Sequence, residues 1–311
     1  MNRFKGIAMI LIGAMLWGAT GPMMERLMED YGLTASFIST LRLILAGTLL
    51  LGFLKLKGVR INSIFKGKTW IPQLLLFSVF GMLGVQLTFV SAIEASDAVV
   101  ATLLQFLGPV YIILFVSLRQ KKMPPAYQVI GMAGTLVGLF LLLTNGKPDE
   151  LTISGEALFW GILVGLTFSF YTLFPARLMQ EWGVLLVVGW SMLIGGLSLG
   201  LAKPVFLSKE WGKLADPSAL GLFLAIVIGG TVAFILFLSS MRFITPVETS
   251  VLSAVEPLTA MVISALWFQQ LLAPVQLTGT FIMLIFVTWL SLAGNLKPKK
   301  QQSLQKNGGA S

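Results

Sequence analysis

Long apolar segments separated by short polar stretches make up most of the chain. Ten segments of about 20 mostly apolar residues can be marked, which is the length that a helix needs to cross a bilayer. Their approximate limits are Lys5–Met24, Thr34–Leu54, Trp70–Phe89, Ala98–Leu118, Tyr127–Thr144, Gly155–Phe174, Val184–Ala202, Ala219–Ser239, Val247–Trp267 and Val275–Leu292. The pattern predicts an all-α integral membrane protein with ten transmembrane helices.

The two ends of the chain differ in character. The N-terminal sequence MNRFK precedes an apolar run with no small-residue cleavage site, so we interpret this run as the first transmembrane helix and not as a signal peptide. Residues 295–311 are mostly polar and are predicted to be a disordered cytoplasmic tail. The loops are short, and the longest lie near Lys55–Lys68 and Lys203–Pro217.

Basic residues predict the orientation in the membrane. An even number of spans puts both termini on the same side. Most of the 22 Lys and Arg residues then fall on the side of the N-terminus. Because cytoplasmic loops carry an excess of basic residues, we expect both termini to be cytoplasmic.

Composition agrees with a membrane protein and narrows the chemistry. Hydrophobic residues make up 56% and charged residues 11%, against about 25% charged in soluble domains. The net charge of +9 comes from Lys and Arg residues, which we interpret as flanking the membrane spans. We therefore expect a lipid bilayer and no nucleic acid as a partner. The chain has no Cys and no His, which removes thiolate metal sites and the commonest general base. We therefore expect no metal, no cofactor and no enzymatic activity.

A shift of 148 residues aligns landmarks in the two halves of the chain. It places Gly47 on Gly195, Gly81 on Gly229, Pro109 on Pro257, Gln128 on Gln276 and Gly131 on Gly279. This indicates two repeats, residues 1–146 and 154–294. Five is an odd number of spans, so the second repeat must enter the membrane with the opposite orientation. Inverted repeats recur in secondary transporters, which predicts alternating access around a central cavity.

Four stretches together resemble a known family. They are AMLWGATGP at Ala14–Pro22, ISTLRLILAG at Ile38–Gly47, ATLLQFLGP at Ala101–Pro109 and SVLSAVEPL at Ser250–Leu258. The chain resembles bacterial ten-helix transporters of the EamA type, in the drug/metabolite transporter superfamily. The resemblance implies export or exchange of small metabolites, often amino acids, across the bacterial cytoplasmic membrane. It does not define the substrate.

The sequence departs from the family pattern in one respect. Members of the family commonly carry an acidic residue just after helices four and nine. The corresponding stretches here read RQKKMPP and FQQLLAP and contain no acid. A function that depends on that acid is therefore not transferred to this chain.

Arg42 is the most deeply placed basic residue of the predicted spans. It lies about 12 Å into the second helix, at 1.5 Å per residue, and a charge at such depth is costly. One interpretation is that its guanidinium binds the carboxylate of a substrate. The alternative is a structural contact with helix carbonyls or with an acid.

Glu256 is the matching acidic residue. It is predicted near the membrane midplane, about nine residues into helix nine and next to Pro257. Intramembrane acids often mark proton relays, so Glu256 is a candidate for proton coupling or for binding a substrate ammonium group. The alternative is a structural acid that is protonated or paired with an arginine.

Polar and aromatic residues complete the candidate substrate site. Ser253 shares a helix face with Glu256, and Gln105 and Gln86 are polar positions in helices four and three. Aromatic candidates for the cavity wall are Trp17, Phe168, Tyr171 and Trp190. Ordinary helix packing and interhelical hydrogen bonding are the alternative for each of these residues.

These observations predict a secondary transporter, an exporter of a small polar metabolite such as an amino acid, with proton coupling through Glu256. The alternatives are a facilitator, a multidrug or amine exporter, and, more remotely, a lipid-modifying membrane enzyme. Carboxylates with the spacing of a Mg²⁺ site do not occur, nor does a GxxxxGK[ST] phosphate-binding loop. The expected partner is a small-molecule substrate, and the expected state is a monomer or a homodimer.

Overall fold

A computed structural model describes residues 2–67, 69–147, 151–240, 243–244, 252–253, 255–269 and 271–293. All regular secondary structure within these ranges is helical. The α-helices are α1 (Asn2–Tyr31), α2 (Ala35–Leu56), α3 (Ile71–Leu76), α4 (Gly84–Ala95), α5 (Ala98–Gln105), α6 (Gly108–Gln120), α7 (Ala126–Thr144), α8 (Gly155–Leu173), α9 (Ala176–Trp182), α10 (Val184–Ala202), α11 (Glu210–Leu214), α12 (Pro217–Ser240), α13 (Val255–Phe268) and α14 (Pro274–Ala293). Two 3₁₀-helices cover Ile61–Lys66 and Val205–Leu207, and a π-helix covers Phe77–Leu83.

Eight helical segments of the described residues are long and apolar enough to cross a membrane. Two of these segments are composite, since Ile71–Ala95 joins α3 to α4 and Ala98–Gln120 joins α5 to α6. Two shorter apolar helices, Val255–Phe268 and Pro274–Leu290, follow them. The predicted all-helical, multi-pass class is confirmed. The count of ten spans and the inverted repeat stay predictions, and the predicted tail lies outside the described residues.

Polar side chains cap the beginnings of two apolar helices. The carboxylate of Asp97 accepts a hydrogen bond from the backbone N–H of Val100 at 2.8 Å, and the hydroxyl of Ser154 accepts one from Ala157 at 3.0 Å. The first N–H groups of a helix have no partner within the helix, so these side chains satisfy donors that would be costly to leave unpaired. The caps thereby determine where α5 and α8 begin.

Two of the predicted spans are interrupted near a proline. The fourth, predicted over Ala98–Leu118, breaks between α5 and α6, just before Pro109. In the ninth, Ser253 lies in a turn and α13 begins two residues before Pro257. Proline lacks the N–H that a helix interior needs, and its ring clashes with the carbonyl four residues earlier. The fourth span is therefore built from two helices, α5 and α6, within the candidate span Ala98–Gln120.

Glycines allow the closest helix contacts. A Cβ added to Gly138 of α7 would lie 2.6 Å from the carbonyl oxygen of Gly279 in α14. A Cβ on Gly47 of α2 would lie 2.7 Å from the backbone nitrogen of Leu193 in α10. Small residues let apolar helices approach in a bilayer, where dispersion contacts drive association. Helix α1 packs against α12 and α13, and α4 packs against α8.

The first helix is longer than predicted. It continues from Met24, the expected end of the first span, to Tyr31. Three acids that follow the predicted span therefore belong to α1: Glu25, Glu29 and Asp30. The predicted end of this helix at Met24 is too early. The helix can continue because Glu25, only 2% exposed, accepts a hydrogen bond from the backbone N–H of Ala98 at 2.9 Å.

Candidate functional site

Arg42 lies in the interior of the helical bundle, on α2. Its Nη1 donates a hydrogen bond to the thioether sulfur of Met24 on α1 at 3.3 Å. Its Nη2 lies 3.2 Å from the position that a Cβ on Gly230 of α12 would occupy. The missing side chain at Gly230 leaves the space that the guanidinium fills, so Arg42 is held between α1 and α12.

Glu256 lies in the first turn of α13, close to the turn that contains Ser253. Its backbone N–H donates a hydrogen bond to the carbonyl oxygen of Ser253 at 2.9 Å. Helix α1 approaches so closely that a Cβ on Gly18 would collide with the carbonyl oxygen of Glu256. The sequence places Glu256 about nine residues into the ninth span, and the described helix α13 begins one residue before it, at Val255.

Arg42 and Glu256, called the charged pair below, interact electrostatically. Among the described residues, these two are not joined by an N–O contact within 4.0 Å. Both side chains are half-buried, although they lie deep in the bundle. The two charges therefore attract each other without direct contact, and each side chain keeps some accessible surface.

Trp17 forms an aromatic layer next to the charged pair. Its ring centroid lies 5.1 Å from that of Phe237 and 6.3 Å from that of Phe234, both on α12. Trp17 precedes Gly18 in the chain, and Phe234 is one helical turn from Gly230. The layer is therefore adjacent to the contacts that hold the charged pair, as a cavity wall would be.

Phe168 and Tyr171 form a second aromatic group, on α8. The ring of Phe168 lies against Gly108, at the break between α5 and α6. Tyr171 stacks on Phe77 of the π-helix with a centroid distance of 5.6 Å, and lies 6.3 Å from Phe168. The structure thus places the predicted aromatic residues in separate groups.

The polar candidates have differing surroundings. Gln86 in α4 and Gln105 at the end of α5 are half-buried, and neither amide is hydrogen-bonded to a described residue. Ser253 is half-buried in the turn before α13. The two amides keep donor and acceptor groups for another partner, which agrees with a place on a polar pathway.

Trp190 lies apart from the charged pair. Its indole N–H donates a hydrogen bond to the carbonyl oxygen of Ile61 at 2.8 Å, and its ring meets the ring of Phe65 edge-on at 4.7 Å. Ile61 follows the end of α2 at Leu56, whereas Arg42 lies about 21 Å back along that helix. The structure therefore brings Trp190 to a loop contact and not to the charged pair.

Glu25 is a buried acid that the predicted spans leave out. Its carboxylate reaches the N-terminus of α5 at Ala98, beside the capping residue Asp97. Burial raises the pKa of the Asp97 carboxyl, although hydrogen bonds from the N–H groups of Val100 and Val99 oppose this shift. A helix-length test extended beyond Met24 would have placed Glu25 on an apolar helix.

A cavity of about 250 Å³ opens over Glu25, at the end of the bundle where α1 joins α2. Its lining includes Met28, Leu33, Thr34, Ile93 and Glu94. Among the described residues, no group of three or more acidic side chains is arranged to hold a metal ion. The cavity is therefore described by its shape and polarity alone.

Comparisons with known proteins show several similarities. The model of the EamA-like transporter family matches the chain twice, over residues 4–144 and 155–292. The uncharacterized inner membrane transporter YicL of Salmonella typhimurium is 39% identical over 290 residues, covering 93% of this chain and 95% of that protein. The uncharacterized transporter YwfM of Bacillus subtilis is 24% identical over 298 residues, covering 95% of each protein. A crystal structure with 14% identity and a TM-score of 0.60 covers 93% of this chain and 96% of that one, and shows a similar fold.

Proposed function

The chain belongs to the EamA-like transporter family, and we propose that it is a secondary transporter that exports a small polar metabolite such as an amino acid. Multiple apolar helices and the inner-membrane relative support a location in the bacterial cytoplasmic membrane. The concentration of basic residues on the side of the N-terminus supports cytoplasmic termini.

The proposed mechanism is alternating access between two inverted five-helix halves. The double match of the family model, over 4–144 and 155–292, supports two related halves. Packing also supports them, because α1 of the first half contacts α12 and α13 of the second, and α8 of the second contacts α4, α5 and α6 of the first. Such exchanged contacts let two halves rock against each other around a shared site.

The observation that carries this proposal is the charged pair. Arg42 comes from the first half and Glu256 from the second, and their charges interact inside the bundle without direct contact. A charge at membrane depth is expensive, and such groups commonly mark substrate or proton pathways. Two opposite charges supplied by opposite halves fit a site whose environment changes when the halves move.

A zwitterionic substrate fits the chemistry of the charged pair. A guanidinium can hold a carboxylate with two parallel hydrogen bonds, and the carboxylate of Glu256 can accept bonds from an ammonium group. The aromatic layer of Trp17, Phe234 and Phe237 supplies an apolar wall beside the site. Protonation of Glu256 would weaken its hold on Arg42 and on the substrate ammonium, which couples proton movement to release.

The test is uptake into proteoliposomes of a panel of labelled amino acids and amines, with and without an imposed pH gradient. We expect saturable movement of amino acids that the gradient accelerates. Glu256→Gln should abolish the acceleration. Arg42→Lys should weaken transport of substrates with a carboxylate, because lysine cannot form the bidentate contact. The matched control is Arg26→Lys, at an exposed arginine of α1.

Other outcomes would replace parts of the proposal. Saturable movement that ignores the gradient would identify a facilitator or an exchanger and remove proton coupling from Glu256. Transport of amines without a carboxylate, unaffected by Arg42→Lys, would identify an amine exporter. Equal effects of Arg42→Lys and Arg26→Lys would contradict the assignment of Arg42 to the substrate site.

A further inference from the structure

Each half of the protein contributes a long loop that lies on the other half. The first loop, residues 57–67, belongs to the first family-model match and is called the 57–67 strap. The second, residues 203–216, belongs to the second match and is called the 203–216 strap. The two straps lie at opposite ends of the bundle, because they follow α2 and α10, which pack closely and run in opposite directions.

The 203–216 strap is hydrogen-bonded to the turn between α1 and α2. The carboxylate of Glu210 accepts a hydrogen bond from the backbone N–H of Thr34 at 2.7 Å. The ammonium of Lys213 donates one to the carbonyl oxygen of Gly32 at 2.6 Å. The ring of Trp211 meets Phe37 edge-on at 5.3 Å. Side chains of one half thus hold backbone groups of the other.

The 57–67 strap makes a comparable contact with α9 and α10. It accepts the indole N–H of Trp190 at the carbonyl oxygen of Ile61 and packs Phe65 on the same indole ring. Ile64 is 1% exposed, so the strap is anchored by an apolar side chain as well. A Cβ on Gly67 would lie 3.1 Å from the ring of Trp182.

The 203–216 strap holds the rim of the cavity over Glu25. Gly32 and Thr34, its two hydrogen-bond partners, line this cavity. Met28 also lines it, and Met24 lies one turn further along the same face of α1. Met24 is completely buried and contacts Arg42. On α1, Met24 therefore lies between a residue of the cavity lining and a member of the charged pair.

We propose that the two straps are latches that alternate, one closing each end of the pathway. When the 203–216 strap releases Gly32 and Thr34, the turn between α1 and α2 moves, and Met24 no longer blocks the cavity from Arg42. When the 57–67 strap releases Trp190, the opposite end opens. This inference rests on the proposed alternating access, but it concerns which contacts control the two ends.

The chain contains no cysteine, so one introduced thiol gives an unambiguous readout. Met24→Cys reports opening from the cavity, measured as the rate of labelling by a membrane-impermeant thiol reagent applied to the face that carries Glu210. Combining it with Glu210→Ala and Lys213→Met should raise the labelling rate about fivefold, because two hydrogen bonds that favour closure are lost. Combining it with Trp190→Phe should lower the rate about threefold, since the opposite latch loses one hydrogen bond.

Two controls make the experiment specific. Lys209→Met removes a charge from the same strap at an exposed residue and should leave the Met24→Cys rate unchanged. Met28→Cys lines the cavity and should react at a similar rate in every background. Thermal melting of each purified variant shows whether it is folded.

The latch and the transport proposal fail in different ways. If substrate changes Met24→Cys labelling but the strap variants match Lys209→Met, alternating access stands and the latch is overturned. If Trp190→Phe and the 203–216 variants change labelling in the same direction, the alternation of the two straps is overturned. Opposite changes in a protein that transports nothing would support the latches and count against the transport proposal.

Discussion

Removing only Arg42 or only Glu256 should destabilise the protein more than the same substitution does when the other charge is already absent. Arg42 and Glu256 attract each other across more than 4.0 Å. With an effective dielectric constant of about 20, their Coulomb attraction is then at most about 4 kcal/mol. Arg42→Met or Glu256→Gln alone leaves the other charge inside the bundle without this attraction, whereas the double substitution removes both charges.

A double-mutant cycle measures this coupling. The melting temperatures of the wild type, the two single variants and the double variant are compared in one detergent at one scan rate. We expect a coupling energy of about 1–3 kcal/mol, below the Coulomb limit because both side chains are partly exposed and the charges lie more than 4.0 Å apart. For a chain of this size, each kcal/mol changes the melting temperature by about 2 °C.

The chain supplies a matched control pair. Arg26 and Asp30 form an ion pair of 2.9 Å on α1, with side chains 44% and 48% exposed. Exposed pairs at this helical spacing couple by about 0.3–0.5 kcal/mol. The corresponding cycle uses Arg26→Gln and Asp30→Asn. A coupling for Arg42 and Glu256 no larger than that of the surface pair would refute the reasoning about their burial.

Two further predictions concern stability. Gly47→Ala should cost about 1–3 kcal/mol of stability, because its Cβ would lie 2.7 Å from the backbone nitrogen of Leu193. Gly52→Ala on the same helix meets nothing within 4 Å and should be neutral or stabilising. Equal melting temperatures of the two variants would contradict this prediction. Burial raises the pKa of Asp97 above its ordinary 3.8. The wild type therefore loses stability as the pH rises through the raised pKa, and Asp97→Asn, which has no carboxyl to ionise, should gain stability relative to it. The melting temperatures of the wild type and of Asp97→Asn, followed from about pH 3 to pH 7, test this prediction. A difference that stays constant with pH would contradict it.

The sequence predicted the class of the protein and its family. Apolar segments of membrane-spanning length and scarcity of charge are linear properties, so they are readable without a structure. The same holds for the rarity of a charge inside an apolar segment, which singled out Arg42 and Glu256. The family assignment is confirmed, whereas the roles of these residues stay predictions.

The sequence does not show where a polar group is satisfied by a distant partner. The apolar pattern ends the first span at Met24, just before Glu25, but the N-terminus of α5 provides a hydrogen bond for this acid. Trp190 was proposed for the cavity wall because aromatic residues often line such walls, yet its indole bonds to Ile61. Neither partner is close in the sequence.

What the sequence by itself determined is therefore the all-helical membrane class, the family and the candidates that are costly to bury. The tertiary structure decided which candidates meet, because contacts depend on helix rotation and on the close approaches that glycines allow. Gly230 admits the guanidinium of Arg42, and Gly18 admits the carbonyl of Glu256. Shifting either glycine by one residue along its helix would rotate it away from the contact. The hydropathy pattern does not report such a rotation.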